Sequence, residues 1–270
     1  KEALAAGVRQ VIFGGESFSH RPISWKDYEE AVRLCHEAGA EILFPTPRVV
    51  REKYQARAQA QLRKLLTLLP DGVVLEYAGA IEWVKGEESL AVWAGPSMNI
   101  FNREAEKEIE NLGFSGCFLS QELTIPQIRY IAKGSDIPLG AYVYGRTEMM
   151  ISEYCAINAV MGDKDKKHCP MYCMRGRFAL KDGEGRRFPI HTDEWCHMHI
   201  ANCHVLDMRP YFDELKKAGL SALTLDVRGN EGSILSLCKD ACDILSGRKE
   251  APGAGRGDDV TRGHFFRGVL

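Results

Sequence analysis

Four cysteines lie within one stretch of the chain, and thiols are the type of side chain that binds soft metal ions. They are Cys155, Cys169, Cys173 and Cys196. Thiolate and imidazole ligands suit zinc or iron. Structural zinc sites usually use two closely spaced pairs of ligands. This stretch has one C-x3-C pair and two isolated cysteines, which suits an iron–sulfur cluster held by separate loops at least as well. We therefore predict a metal centre, either an iron–sulfur cluster or zinc.

Other side chains near these cysteines could complete the set of ligands. Cys203 is the rival of Cys196 for a fourth position, and His168, His197 and His199 are further candidates. The alternative to a metal centre is ordinary core packing, because free cysteine is among the most buried residue types.

Charged side chains that follow predicted strands form a second group of candidates for chemistry. They are Glu16 and Arg21 after the first strand, Glu122 after the fifth, and Asp226 and Arg228 at the end of the seventh. In a barrel of parallel strands such positions converge on one mouth, where active sites lie. Asp226 and Arg228 share one side of a strand, and an arginine fork can bind a carboxylate or another anion. Helix capping and salt bridges are the alternative roles.

Strands and helices alternate along the chain, and this alternation predicts the scaffold that positions these groups. Seven short apolar segments have the character of parallel strands covered on both faces. They are residues 10–13, 41–44, 72–77, 90–94, 116–119, 137–144 and 222–227. Because the chain opens on a helical pattern, we predict an α/β fold of the (β/α)8 TIM-barrel type that is incomplete, with its first strand absent. A doubly wound open sheet is the alternative.

Residues 146–205 interrupt this alternation and form a cysteine-rich insert after the sixth strand. Within the insert, residues 177–188 have the pattern of a β-hairpin around a D-G-E-G turn. We expect a single domain over 1–250 that includes the insert, and a linker with a C-terminal tail over 251–270. Basic side chains around the cysteines could contact RNA as an alternative to forming a solvated hairpin; they are Lys164, Lys166, Lys167, Arg175, Arg177, Arg186 and Arg187.

Composition narrows the class of protein. The chain has 270 residues, 45% of them hydrophobic, with a net charge of −2, so no global field draws it to nucleic acid or membrane. Its nine cysteines are clustered and odd in number, which favours a reducing, cytoplasmic compartment. We expect no membrane span, and the motifs of serine hydrolases, zinc peptidases and phosphate-binding loops are absent from the sequence.

The order of motifs along the chain resembles peptidase family U32, the collagenase-like peptidases. The motifs are G-V-R-Q-V-I-F-G-G-E-S-F-S-H-R at 7–21, L-S-Q-E-L-T at 119–124, F-P-I-H-T-D-E-W-C-H-M-H-I-A-N at 188–202 and L-T-L-D-V-R at 223–228. In addition, Cys155, Cys169 and Cys173 match the family's signature cysteines. The resemblance covers nearly the whole chain.

The family name implies proteolysis, but the resemblance extends to iron–sulfur proteins that support oxygen-independent hydroxylation of tRNA, ribosomal RNA or a ubiquinone precursor. It implies that the four cysteines named first hold a [4Fe–4S] cluster, with Cys203 as the alternative fourth ligand. The five charged residues at strand ends would then line a site for RNA or a small aromatic substrate. The alternatives are a metal- or cysteine-dependent peptidase, or a non-catalytic cluster-bearing subunit of a heterodimer or homodimer.

Overall fold

A curled sheet of mostly parallel strands forms the centre of the computed structural model, which describes residues 1–162, 169–230, 232–253 and 259–269. Its parallel strands are β1 (Gln10–Ile12), β2 (Glu41–Pro45), β3 (Gly72–Leu75), β4 (Ala91–Ala94), β5 (Gly116–Phe118), β6 (Leu139–Gly145) and β12 (Ala222–Leu225). Strand β12 lies beside β6, and among the described residues no pairing joins β12 to β1. The sheet is therefore a half-barrel. This confirms the prediction of a TIM-like α/β fold, and the seven predicted strands are all present.

Helices follow most of the parallel strands and pack on the outer face of the half-barrel. They are α1 (Glu2–Ala5), α2 (Trp25–Glu37), α3 (Glu52–Leu66), α4 (Arg103–Asn111), α5 (Ile125–Ala132), α7 (Phe212–Lys217) and α8 (Ile234–Leu245). Ser24 begins α2 by accepting a hydrogen bond from the backbone of Asp27, and Thr124 begins α5 by accepting one from Gln127. These caps satisfy backbone N–H groups that have no partner inside the helix.

The inner face of the half-barrel has its own apolar cluster, because alternate residues of a strand point to opposite faces of the sheet. Its buried members are Leu43, Val74, Trp93 and Phe118. Gly116 and Gly140 leave space for the two rings, since a Cβ at these positions would lie 2.8 Å from Trp93 and 2.7 Å from Phe118. The floor of the half-barrel is therefore filled, and a ligand must bind above it.

A second, antiparallel sheet follows β6 in the chain. Its strands are β7 (Glu148–Ser152), β8 (Phe178–Lys181), β9 (Arg187–Thr192) and β10 (Met198–Ala201), in the order β7-β10-β9-β8. Strands β8 and β9 form the predicted hairpin, and α6 (Ala156–Met161) lies between β7 and β8. Strand β11 (Val205–Asp207) then pairs with the carboxyl end of β6. The second sheet therefore begins and ends at the carboxyl edge of the half-barrel.

The C-terminal residues also pack against the half-barrel. Strand β13 (Val260–Thr261) pairs with β11, and Phe265 is buried in the main core. The backbone N–H of Ile125 donates a 2.8 Å hydrogen bond to the carbonyl of Phe265. In the described parts of the chain, every helix is too short or too polar to cross a membrane.

Candidate functional site

An open cleft lies at the carboxyl ends of the parallel strands, above the apolar floor. Its empty volume is about 810 Å³. Several ionisable side chains line it, namely Glu16, Arg48, Glu76, Tyr142, Glu148, Asp226 and Arg228. Because α/β folds bind their ligands at this edge of the sheet, the cleft is the candidate substrate site.

Arg48 is held between two carboxylates at the rim of the cleft. Its backbone N–H donates to Glu16 at 2.8 Å and its Nε donates to the same carboxylate at 2.7 Å. Its Nη1 lies 2.6 Å from Glu148. Burial lowers the pKa of the guanidinium, but the charges of Glu16 and Glu148 outweigh this effect and raise it. Arg48 is therefore a permanent cation with a fixed orientation.

Glu76 and Tyr142 bring two protonatable groups into the same cleft. Burial raises the pKa of the Glu76 carboxyl, although the N–H of Ser97 donates to it at 3.2 Å and opposes this rise. Burial also raises the pKa of the Tyr142 phenol, and the charge of Glu76 adds to this. Both shifts favour the protonated form, so these groups can donate a hydrogen bond or a proton to a bound molecule.

Asp226 and Arg228 lie on one side of the chain after β12, as their spacing predicts. The Arg228 fork is closed on Asp226, with distances of 3.0 Å from Nε to Oδ1 and 2.8 Å from Nη2 to Oδ2. The same guanidinium lies 4.9 Å from the ring centre of Phe18. An anion could bind the Arg228 guanidinium only by displacing Asp226. The pair is therefore better suited to offer a bound molecule a carboxylate and a fixed cation together.

Two of the five predicted charged residues lie away from the cleft lining. Arg21 and Glu122 are both exposed, whereas the neighbouring Gln121 lines the cleft. The structure thus brings Glu16, Asp226 and Arg228 together and leaves the other two outside.

Three cysteines of the predicted centre lie close enough to the fourth, Cys196, for their charges to affect it. Burial raises the pKa of the Cys196 thiol, and negative charge on Cys173, Cys169 and Cys155 raises it further. His20 lies between two of them, with its Nε2 3.1 Å from the sulfur of Cys173 and its Nδ1 4.0 Å from that of Cys196. The motif after β1 therefore contributes a ring to the thiol group, which the sequence did not predict.

The two predicted kinds of metal centre place their thiolate ligands differently. Within the described residues, no group of three or more histidine, cysteine, aspartate or glutamate side chains is arranged to hold a metal ion. Four thiolates around one zinc ion would lie within ~4 Å of one another. A [4Fe–4S] cluster takes one thiolate at each iron and separates its ligands more widely. Four thiols are a donor set that either kind of centre can use.

The other candidate ligands have different partners. His197 Nδ1 and His199 Nε2 both lie 3.1 Å from Asp193, and His199 Nδ1 lies 2.9 Å from Glu148. The thiol of Cys203 lies 3.5 Å from the side-chain oxygen of Asn202. Cys196 is therefore the fourth cysteine that the fold places with Cys155, Cys169 and Cys173. His168, Lys164, Lys166 and Lys167 lie outside the described residues.

A chain of charged groups connects the cleft to the loop that carries Cys196. It runs from Glu16 through Arg48, Glu148 and His199 to Asp193. Burial lowers the pKa of His199, but hydrogen bonds from its ring to Asp193 and Glu148 outweigh burial and raise it to about 9. Asp193 accepts the backbone N–H groups of Trp195 and His197 at 2.9 and 2.8 Å. The loop is thereby anchored to the cleft.

Together, the fold and the site define an α/β half-barrel protein with four neighbouring thiols and a polar cleft at the carboxyl ends of its strands. The chain belongs to peptidase family U32, whose family model matches residues 1–241.

Known proteins give a more distant comparison. The chain is 26% identical over 191 residues to the 23S rRNA 5-hydroxycytidine C2501 synthase of Escherichia coli strain K12. This match covers 69% of the chain and 29% of the synthase. The solved U32 peptidase Mk0906 is 16% identical, with a TM-score of 0.42 over 51% of this chain and 61% of that one. A thiamine phosphate pyrophosphorylase from Pyrococcus furiosus is 13% identical, with a TM-score of 0.47 over 91% of this chain and 87% of that one.

Proposed function

We propose that this chain is the cluster-binding part of an enzyme that hydroxylates an RNA base without molecular oxygen, with a hydroxylated organic co-substrate that gives up its oxygen atom and is reduced as the base is oxidised. The observation that carries this proposal is a group of four thiols whose Cys196 loop is joined by buried charged groups to a polar cleft. Family membership and the partial match to a ribosomal RNA hydroxycytidine synthase support it. The chain spans 29% of the length of that relative, so we propose the activity and the substrate for the whole enzyme and not for this chain alone.

In this proposal, Cys155, Cys169, Cys173 and Cys196 are the ligands of a [4Fe–4S] cluster. Such a cluster, when bound, supplies one-electron transfer. His20 lies 3.1 Å from Cys173, and hydrogen bonds to ligand sulfurs tune a cluster's reduction potential. The histidine is thus assigned to positioning the thiols and adjusting the potential.

The cleft is assigned to the target base. A base that reacts must leave its stack and enter a pocket that reads its polar edge. Glu76 and Tyr142 offer protons at the inner wall, and Glu16 and Asp226 offer carboxylate oxygens at the rim. Arg48 supplies a fixed cation between them. These groups can orient a base and move protons during its hydroxylation.

Analysis of RNA nucleosides tests this function. The gene is deleted in its own host, and digested RNA is compared by mass spectrometry with RNA from strains that carry the wild type, Cys173→Ser or Asp226→Asn. We expect the deletion to remove one nucleoside that carries an extra oxygen atom, and only the wild type to restore it. Unchanged RNA nucleosides would contradict the proposal, and a missing quinone with unchanged RNA would assign the site to a small aromatic substrate.

A second candidate, a cysteine peptidase, is favoured by the pair of His20 and Cys173, whose 3.1 Å separation suits a nucleophile and its base. The other ring nitrogen of His20 faces Cys196 at 4.0 Å and not a carboxylate that would orient the ring. Incubation of metal-free protein with labelled gelatin and casein tests the cysteine peptidase hypothesis. Hydrolysis that disappears in both His20→Gln and Cys173→Ser would establish it.

A further inference from the structure

Three exposed cations form a stripe along helix α3. Lys53, Arg57 and Lys64 are all exposed, and intervals of four and seven residues return to the same side of an α-helix. The eleven residues from the first to the last correspond to about 16 Å along the helix axis. We call these three residues the α3 stripe.

Each cation of the α3 stripe lies over an aromatic ring. Lys53 is 4.5 Å from the ring centre of Tyr54, Arg57 is 4.5 Å from that of Trp195, and Lys64 is 4.5 Å from that of Trp25. The rings of Tyr54 and Trp195 are also 5.6 Å apart. The surface therefore alternates positive charge with flat apolar faces. Single-stranded nucleic acid is bound by this combination, because phosphates need cations and unstacked bases need rings.

The charges of the α3 stripe are available for a ligand. Nearby arginines are paired, Arg51 with Glu153 and Arg33 with Glu37. In contrast, no carboxylate in the described parts of the chain forms an ion pair with any of the three stripe cations.

Two acidic side chains lie close to the stripe. Burial raises the pKa of Glu194, while the nearby charge of Arg57 lowers it. Glu29 accepts the indole N–H of Trp25 at 2.7 Å. Neither carboxylate forms an ion pair with a cation of the α3 stripe.

The α3 stripe contacts the loop that carries Cys196. Trp195 precedes Cys196 in the chain and contacts Arg57 in the stripe. A strand bound along the stripe would therefore reach the loop that carries Cys196.

We propose that the α3 stripe, with Tyr54 and Trp195, binds single-stranded RNA beside the loop that carries Cys196. This inference rests on the proposed function for its choice of RNA. It differs from the sequence-based expectation, which assigned RNA contact to basic residues around the cysteines. One of those, Arg186, is tied to Asp182 and Glu184 in the β8–β9 hairpin. Three phosphate contacts along about 16 Å correspond to a few nucleotides of extended strand.

Fluorescence anisotropy with a labelled single-stranded RNA of about twelve nucleotides tests the stripe. The triple variant Lys53→Gln, Arg57→Gln, Lys64→Gln is compared with the wild type and with a control, Lys107→Gln, Lys133→Gln, Lys217→Gln. The control removes the same charge from exposed positions on or next to other helices. Loss of three phosphate contacts should weaken binding more than about tenfold at 0.1 M salt and reduce the slope of log affinity against log salt by about 2.

A second variant separates the aromatic contribution from the charge. Tyr54→Ala should weaken binding several-fold with an unchanged salt slope, and Tyr54→Phe should bind like the wild type, because stacking needs the ring and not the hydroxyl.

Each outcome of these binding measurements either supports or overturns RNA binding by the α3 stripe. Equal weakening in the stripe and control variants would reduce the effect to net charge and overturn the proposal, as would undiminished RNA binding by the stripe variant. Preference of the wild type for a poly-glutamate peptide over RNA would assign the stripe to an acidic protein and overturn it too. Stripe-dependent RNA binding together with unchanged nucleosides in the deletion strain would support the stripe while rejecting the hydroxylase function.

Discussion

His199 is fully enclosed between two carboxylates, with its side chain 1% exposed. Its pKa of about 9 lies above the ordinary value of 6.5, so its folded state binds a proton more tightly than its unfolded state. The stabilisation is therefore complete below about pH 6.5 and is lost as the pH rises through about 9. Its partners behave oppositely: the pKa values of Glu148 and Asp193 are lowered in the fold, so their contribution is lost in acid.

The first prediction concerns this pH dependence. Between pH 6.5 and 9.5, the wild type should lose up to about 3 kcal/mol of unfolding free energy relative to His199→Gln. Urea unfolding at several pH values measures the difference. His36→Gln is the control, since His36 pairs with Asp71 at the exposed surface. A difference between wild type and His199→Gln that stays constant with pH would show that His199 is neutral in the fold.

A second prediction follows from the two carboxylates on Arg48. Arg48→Met leaves Glu16 without its counter-charge and Glu148 with His199 alone in a buried place, and should destabilise the fold by about 3–5 kcal/mol. The control Arg33→Met breaks the exposed pair with Glu37 and should cost less than about 1 kcal/mol. Chemical denaturation compares the two. Similar small losses in both variants would show that the Arg48 group is solvated.

Only part of the candidate site could be predicted from the sequence, because several of its contacts join residues far apart in the chain. Glu16, Asp226 and Arg228 could be predicted because each lies within four residues of the end of a strand. The roles of Arg48 and His20 come from partners far away in the chain: Arg48 and Glu148 are 100 residues apart, and His20 and Cys173 are 153 apart. No local pattern contains such contacts, and they depend on how the second sheet lies against the half-barrel.

At the scale of elements, helix α3 ends under strain that can be relieved. Leu69 follows the helix with a φ of +57°, in the left-handed region that disfavours a side chain. Its side chain is 77% exposed, so little packing compensates. Leu69→Gly should therefore raise the free energy of unfolding by about 0.5–1 kcal/mol.

Thermal unfolding of Leu69→Gly, with Leu112→Gly as control, tests this third prediction. Leu112 is also exposed and also follows a helix, but it has the ordinary right-handed conformation with a φ of −74°. Its replacement should destabilise the fold by about 1 kcal/mol. A lower melting temperature for Leu69→Gly would contradict the strain argument.

The parallel strands and their helices were predictable because their signals are local. Apolar runs, capping residues such as Ser24 and terminal glycines recur along the half-barrel, so element type follows from neighbouring residues. The second sheet is different. Strand β10 is buried throughout and lacks polar alternation, and it pairs with β7 from the other end of the intervening segment. Strand β13 has two residues and depends entirely on β11 for its pairing.

At the scale of the whole molecule, the two sheets contribute different groups to the candidate site. The half-barrel supplies a rigid apolar floor and the charged cleft, and the segment between β6 and β11 supplies Cys155, Cys169, Cys173 and Cys196. The line of buried charges from Glu16 to Asp193 joins the two parts. Such an arrangement suits a reaction in which electrons and protons reach one substrate from different sides.

The most direct test of this account is the iron and acid-labile sulfide content of anaerobically purified protein. The wild type should be brown and carry about four irons per chain. Cys155→Ser, Cys169→Ser, Cys173→Ser and Cys196→Ser should each lose iron and colour, while Cys203→Ser should keep both. A colourless wild type after reconstitution with iron and sulfide, or full iron in Cys173→Ser, would contradict the cluster at these four thiols.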